Sequence, residues 1–137
     1  QDNTVLNFMN KIIVEVSIGE LLDKISILEI KQEKIKDPEK LKFISNEHSI
    51  LKNQLENNIK SDDKLNKLFQ SLKEINAKLW IIEDDKRQCE KDKDFGEKFI
   101  KLSRDVHFLN DDRAKIKLEI NNHTGSVIKE IKEYTSY

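Results

Sequence analysis

One cysteine, one proline and three glycines are spread over 137 residues, and each scarcity removes a class of protein. With Cys89 alone, neither an intramolecular disulfide nor a multi-cysteine zinc site can form; a reducing compartment is the natural reading, so a cytoplasmic location is expected. So few glycines and prolines argue against a turn-rich β fold. Gly19, Gly96 and Gly125 stand isolated, and no phosphate-cradling glycine loop, HExxH or GxSxG is present. The longest apolar runs, Ile12–Val14 and Leu79–Ile82, fall far short of the roughly 20 residues a membrane span needs, and no segment reads as a signal peptide. Charge of one sign is also missing. The formal net charge of −1 supplies no global field for nucleic acid or anionic lipid.

What is present is helix-forming. Charged residues make up 37% and hydrophobic residues 36%, the balance of helices with wide solvated faces and a narrow apolar stripe. Ile12-Ile13-Val14-Glu15-Val16 is β-branched and reads as a short extended segment. Ser17-Ile18-Gly19-Glu20 then has the spacing of a capping box, in which hydroxyl and carboxylate each satisfy a backbone N–H. Ile18, Leu21, Ile25, Leu28, Gln32 and Ile35 step by three and four, so a first helix runs to Asp37-Pro38. Pro38 suits the first turn of a second helix with its seam at Leu41, Ile44, His48, Leu51 and Leu55. Asn57–Asp63 breaks it. Leu65, Leu68, Leu72, Ile75, Leu79 and Ile82 form the cleanest heptad, in a third helix extending towards Glu90. After a charged turn at Lys91–Asp94, Phe95, Phe99, Leu102, Val106, Leu109, Arg113, Ile116 and Ile120 mark a fourth, ended by Asn121–Ser126, which contains Gly125. Short connections and a 3.5-residue seam imply an all-α, elongated antiparallel bundle of about four helices in one domain, 12–137, with an unassigned leader, 1–11, and a tail, Val127–Tyr137, that is either a short helix or an extended segment.

Two blocks carry a resemblance. Ile12–Ile35, IIVEVSIGELLDKISILEIKQEKI, and the segments LWIIEDDKRQCE and DFGEKFIKLSRDVHFLNDDRAKIKLEIN within Leu79–Tyr137 together resemble a family of short bacterial and phage proteins of unknown function. His107 departs from the pattern, since relatives often have tyrosine there. The resemblance implies no catalytic residues, and only an occurrence of relatives near glycosyltransferase-type proteins.

Chemistry has few places to sit. Arg113 occupies a seam position between Leu109 and Ile116 and, once removed from water, needs a carboxylate: Glu83, Asp84, Asp23 or Glu29. It serves either as a structural ion pair that fixes register or as a clamp for a carboxylate or phosphate. Trp80, Glu83, Asp84 and Arg87 share one face of the third helix, at offsets of zero, three, four and seven. Arg104, Asp111 and Lys115 make a comparable strip on the fourth. Facing each other, the strips would make a polar cleft beside an aromatic wall; apart, they are solvated salt-bridge ladders. The ligand-binding candidates are therefore Trp80, Glu83, Asp84, Arg87, Arg104 and Arg113. His48 reads as a satisfied core histidine, Cys89 as a plain thiol, and His107 and His123 lack the spacing of zinc ligands. No metal, cofactor or catalytic residue is implied.

Every strong signal serves helix packing and none a reaction. The first expectation is a binding or assembly module acting on a protein partner or a second copy, with Ile12–Val16, the tail, Ile50, Ile81 and Ile100 as unused apolar surface. The alternative is a small ligand-binding protein or enzyme with an Arg/carboxylate cleft for an anionic or sugar-type ligand.

Overall fold

A computed structural model describes residues 10–137, so most of the 1–11 leader lies outside the described residues. Four helices follow in order: α1 (Ile18–Lys34), α2 (Pro38–Asn58), α3 (Asp63–Asp92) and α4 (Glu97–Thr124). Among the described residues there is no strand. The all-α architecture follows the seams in the sequence, and its boundaries are set by local chemistry. Ser17 Oγ accepts from the Glu20 N–H at 3.0 Å to start α1, Asp37 caps α2 with Pro38 in its first turn, and Asp62 Oδ1 accepts from the Leu65 N–H at 2.7 Å to start α3. α4 stops at Gly125, whose φ of 71° is open to glycine at little steric cost. α3 ends less comfortably, on Lys93 at φ 56°, in the left-handed region that a side chain disfavours.

α1 is the central helix, packing against α2, α3 and α4, while α3 and α4 pair with each other. The buried cluster is small: Leu22 from α1, Leu65 and Leu72 from α3, and Ile120 from α4. Each such side chain contributes on the order of 2 kcal/mol through removal from water. α2 has no fully buried residue; Leu41, Ile44, Leu51 and Leu55 are half-buried. His48 is half-buried too, its Nε2 3.1 Å from Glu29 of α1.

The packing is uneven along the long axis. α3 buries Leu65, Leu72, Asn76 and Leu79 and then only Cys89, and α4 buries Lys117, Ile120 and Asn121 near its C-terminal end and none of its earlier residues. The three- and four-helix packing thus sits at one end, and the remainder is a two-helix hairpin. Ile81 there is 52% exposed and Ile100 is 55% exposed. The accessible surface of 10290 Å² exceeds the roughly 7,500 Å² typical of a compact chain of this mass, as this extended shape requires.

Both flanking segments are extended. Ile12, Ile13 and Val14 lie in solvent. The tail turns back along α4 through side chains: Lys129 Nζ donates to Asn122 Oδ1 at 2.8 Å, Glu130 accepts from Lys117 at 3.1 Å, and the Tyr137 hydroxyl donates to Asp111.

The closest approach is at the start of α1. A Cβ on Gly19 would lie 2.6 Å from the Lys117 carbonyl oxygen and 3.0 Å from Asn121 Oδ1, and the Gly19 N–H donates to that Oδ1 at 2.7 Å. Backbone cannot yield as a flexible side chain would. Gly19→Ala is therefore expected to destabilise the protein by about 1–3 kcal/mol, read as a lower urea midpoint by circular dichroism, although alanine is the better helix former.

Candidate functional site

α1 carries a second stripe beside its apolar one. Gly19, Asp23, Ser26 and Ile30 follow 4–3–4 spacing, so two short polar side chains face inward with a glycine and an isoleucine. The Asp23 side chain is 2% exposed. A lone carboxylate in that position would cost several kcal/mol, and the surrounding helices supply what it needs. Arg113 of α4 donates through Nε at 2.9 Å and closes a second, parallel bond from Nη2. Asn76 of α3 donates from Nδ2 to Asp23 at 2.9 Å and to Ser26 Oγ at 2.8 Å, and the Ser26 hydroxyl returns to the Asp23 carbonyl at 2.8 Å.

Lys117, one turn beyond Arg113, extends the cluster. Its ammonium lies 2.7 Å from Glu20, 3.1 Å from Glu130 of the tail and 4.0 Å from Asp23. The Glu20 carboxylate is thus directed to Lys117, so of the capping box expected at Ser17 and Glu20 the structure gives the hydroxyl bond. The free N–H groups of the first turn of α1 are met from outside the helix, by Ser126 Oγ on Ile18 at 3.2 Å and by Asn121 on Gly19.

The electrostatics follow. Burial pushes the Asp23 carboxyl up, but the hydrogen bonds from Arg113 and Asn76 and the charges of Arg113 and Lys117 outweigh it and hold the group below its ordinary value. Burial likewise pushes Lys117 down, and the bonds it donates to Glu20 and Glu130 reverse this and raise it. Arg113 is raised by its bond to Asp23 against the opposing effect of burial.

The sequence-derived candidates divide. Trp80, Glu83, Asp84, Arg87 and Arg113 line one cleft of about 470 Å³, together with Ile27, Ile30, Asn76 and Leu79. Arg104 is not among its lining residues: it is exposed, with its guanidinium 5.9 Å from the Phe108 ring centroid. Asp111 and Lys115 of the same strip are absent from the cleft as well. The reason is helical geometry, since Arg104 falls nine residues before Arg113 and so on the opposite side of α4. Arg113 meets Asp23, one of the four carboxylates the sequence nominated, and its Nη1 reaches Asn110 Oδ1 at 3.3 Å. Its fork is spent on a structural ion pair, which leaves it a poor clamp for an external carboxylate. Glu83 is engaged by Arg87 at 3.2 Å.

Asn76, Ser26, Lys117 and Asn121 are missing from the sequence-derived set. Asn76 lies four residues after Leu72 and three before Leu79, a stripe position as good as that of Ile75, and Lys117 and Asn121 continue by fours from Arg113. Polar residues recurring at stripe spacing are the signal that would have found them. Cys89 is buried, and among the described residues no three histidine, cysteine or acidic side chains converge as metal ligands.

Removing one member of the central pair exposes its cost. Arg113→Met leaves Asp23 dry and unpaired and is expected to cost about 3–5 kcal/mol; adding Asp23→Asn should recover part of that loss, measured as a non-additive double-mutant cycle in urea. The pH dependence has a definite sign. A carboxyl whose folded pKa is depressed contributes stability above its unfolded value, near about 4, and loses it as pH falls below that. Acid titration of the urea midpoint should therefore show a decline below about pH 4 that is shallower in Asp23→Asn.

Among the described residues no helix is long and apolar enough to cross a membrane. Comparison with curated proteins and with solved structures finds no match in either. A family model does match, over residues 12–137, nearly the whole chain. With that coverage, the chain belongs to the family described as a family of unknown function, DUF6165.

Proposed function

We propose that this protein is a helical binding and assembly module that works through helix–helix contacts with a second copy of itself. The observation that supports it most is the bare hairpin formed by the later part of α3 and the earlier part of α4. Ile81, Ile82, Phe108 and Leu109 line an open groove of about 400 Å³ there, with Lys78 and Asp105 among its lining residues. A pair of helices alone cannot bury such a seam, whereas two hairpins laid together make a four-helix bundle that does.

A second copy fits for two reasons. The groove presents one basic and one acidic side chain beside its apolar residues, so a two-fold axis can bring Lys78 of one protomer to Asp105 of another, and a self-complementary patch is what an isologous interface requires. Ile81 and Phe108 are also exposed, at 52% and 39%, apolar surface that a second hairpin would cover. Ile100, 55% exposed, lies on the same hairpin, whereas Ile50 belongs to α2.

Light scattering on the purified protein should give a mass above the 16.2 kDa of one chain, and Ile81→Glu should return it to that value while leaving the helical circular dichroism unchanged. A wild-type protein that elutes as a clean monomer across the accessible concentration range removes this reading.

A further inference from the structure

We propose that the cleft walled by Trp80 binds a neutral, polyhydroxylated ring, the chemistry of a monosaccharide unit. This is independent of self-association. The cleft's volume of about 470 Å³ lies in the range of small-molecule sites, roughly 300–1,000 Å³. Its wall is the indole of Trp80 beside Ile27, Ile30 and Leu79, and an aromatic face with its negative quadrupole suits the C–H side of a pyranose ring.

The polar side of the cleft is built to accept. Asn76 is 5% exposed, and its amide nitrogen is committed to Asp23 and Ser26, which fixes which end of the carboxamide is which. Among the described residues no group donates to its carbonyl oxygen, and the side chain lines the cleft. That oxygen reaches solvent at the cleft wall, where a ligand hydroxyl can donate to it in place of water. Asp84, exposed, adds a carboxylate with no hydrogen-bond or ion-pair partner among the described residues, while Glu83 is held by Arg87 and Arg113 by Asp23. With Arg113 held by the buried Asp23 and Arg87 in an exposed pair with Glu83, the spare charge of the cleft is the Asp84 carboxylate, which disfavours an anionic ligand. Hydroxyl groups match the acceptors.

The sequence contains one tryptophan, so its fluorescence reports on this cleft alone. Methyl glucoside, methyl galactoside, methyl mannoside and N-acetylglucosamine are titrated into the intact protein, with sodium phosphate and butylamine as comparators, and saturation-transfer NMR is run in parallel to detect binding that leaves emission unchanged. At least one sugar should bind saturably with a dissociation constant on the order of 1 mM. Asp84→Ala should weaken it about tenfold, the loss of a hydrogen bond to a charged group, with an unchanged melting temperature because Asp84 is exposed. The proposal is overturned if none of the sugars binds saturably by either method, if only phosphate or the amine does, or if Asp84→Ala binds as tightly as the wild type.

Discussion

The carboxylate of Asp23, sealed among three helices, is the constraint to which the rest of this structure answers. An ionised group with a side chain only 2% exposed is tolerable when its oxygens are saturated by donors, and the donors come from different parts of the chain: Arg113 from α4 and Asn76 from α3. Apolar packing alone would let α1 slide or rotate by a residue against its neighbours at modest cost. A bidentate ion pair does not permit that, because a shift of one residue turns Asp23 about 100° away from Arg113. The close approach at Gly19 and the capping of α1 by Asn121 and Ser126 belong to the same arrangement. All of them fix one end of α1 against one end of α4.

That fixed end leaves the other end free. α1 is 17 residues long, against 30 for α3 and 28 for α4, so one short helix cannot shield two long ones. Rigidity is concentrated around the ion pair, and apolar surface is concentrated on the hairpin away from it. The Trp80 cleft lies where the two regimes meet, with Asn76 and Arg113 from the buried network on one side and the charged rim of α3 on the other.

Much of this was legible in the residues. Four helices, the cap at Ser17, Pro38 in the first turn of α2, a stop around Gly125, and the need of Arg113 for a carboxylate all follow from periodicity, from local turn chemistry and from the cost of burying charge. Four of the candidates on α3 do share a cleft with Arg113. Arg104 does not, because its relation to Arg113 was judged from composition along a strip rather than from the angle between them on the helix. Periodicity also left the extent of the packing undetermined. Phe99, Leu102 and Val106 continue the stripe of α4 as regularly as Ile120 does, yet of these Ile120 alone is buried, and Phe95 lies before the helix begins. A stripe records which face is apolar, whereas its cover depends on how far a neighbouring helix reaches. Asn76 and Lys117 were hidden for a related reason: an adjacent isoleucine, Ile75 or Ile116, claimed the seam in each case, and a period between 3.5 and 3.6 cannot separate two adjacent positions.

Asp23 and Arg113 are separated by 90 residues, and this has a bearing on how the protein is made. A ribosome releases α1 and α2 long before the C-terminal part of α4 has been translated, so the nascent helical pair emerges with the Asp23 carboxylate still hydrated. Loop closure over that span is slow compared with forming a local helix. The native arrangement therefore waits for the C-terminal part of α4, and a polypeptide cut short before Arg113 leaves the Asp23 charge unanswered.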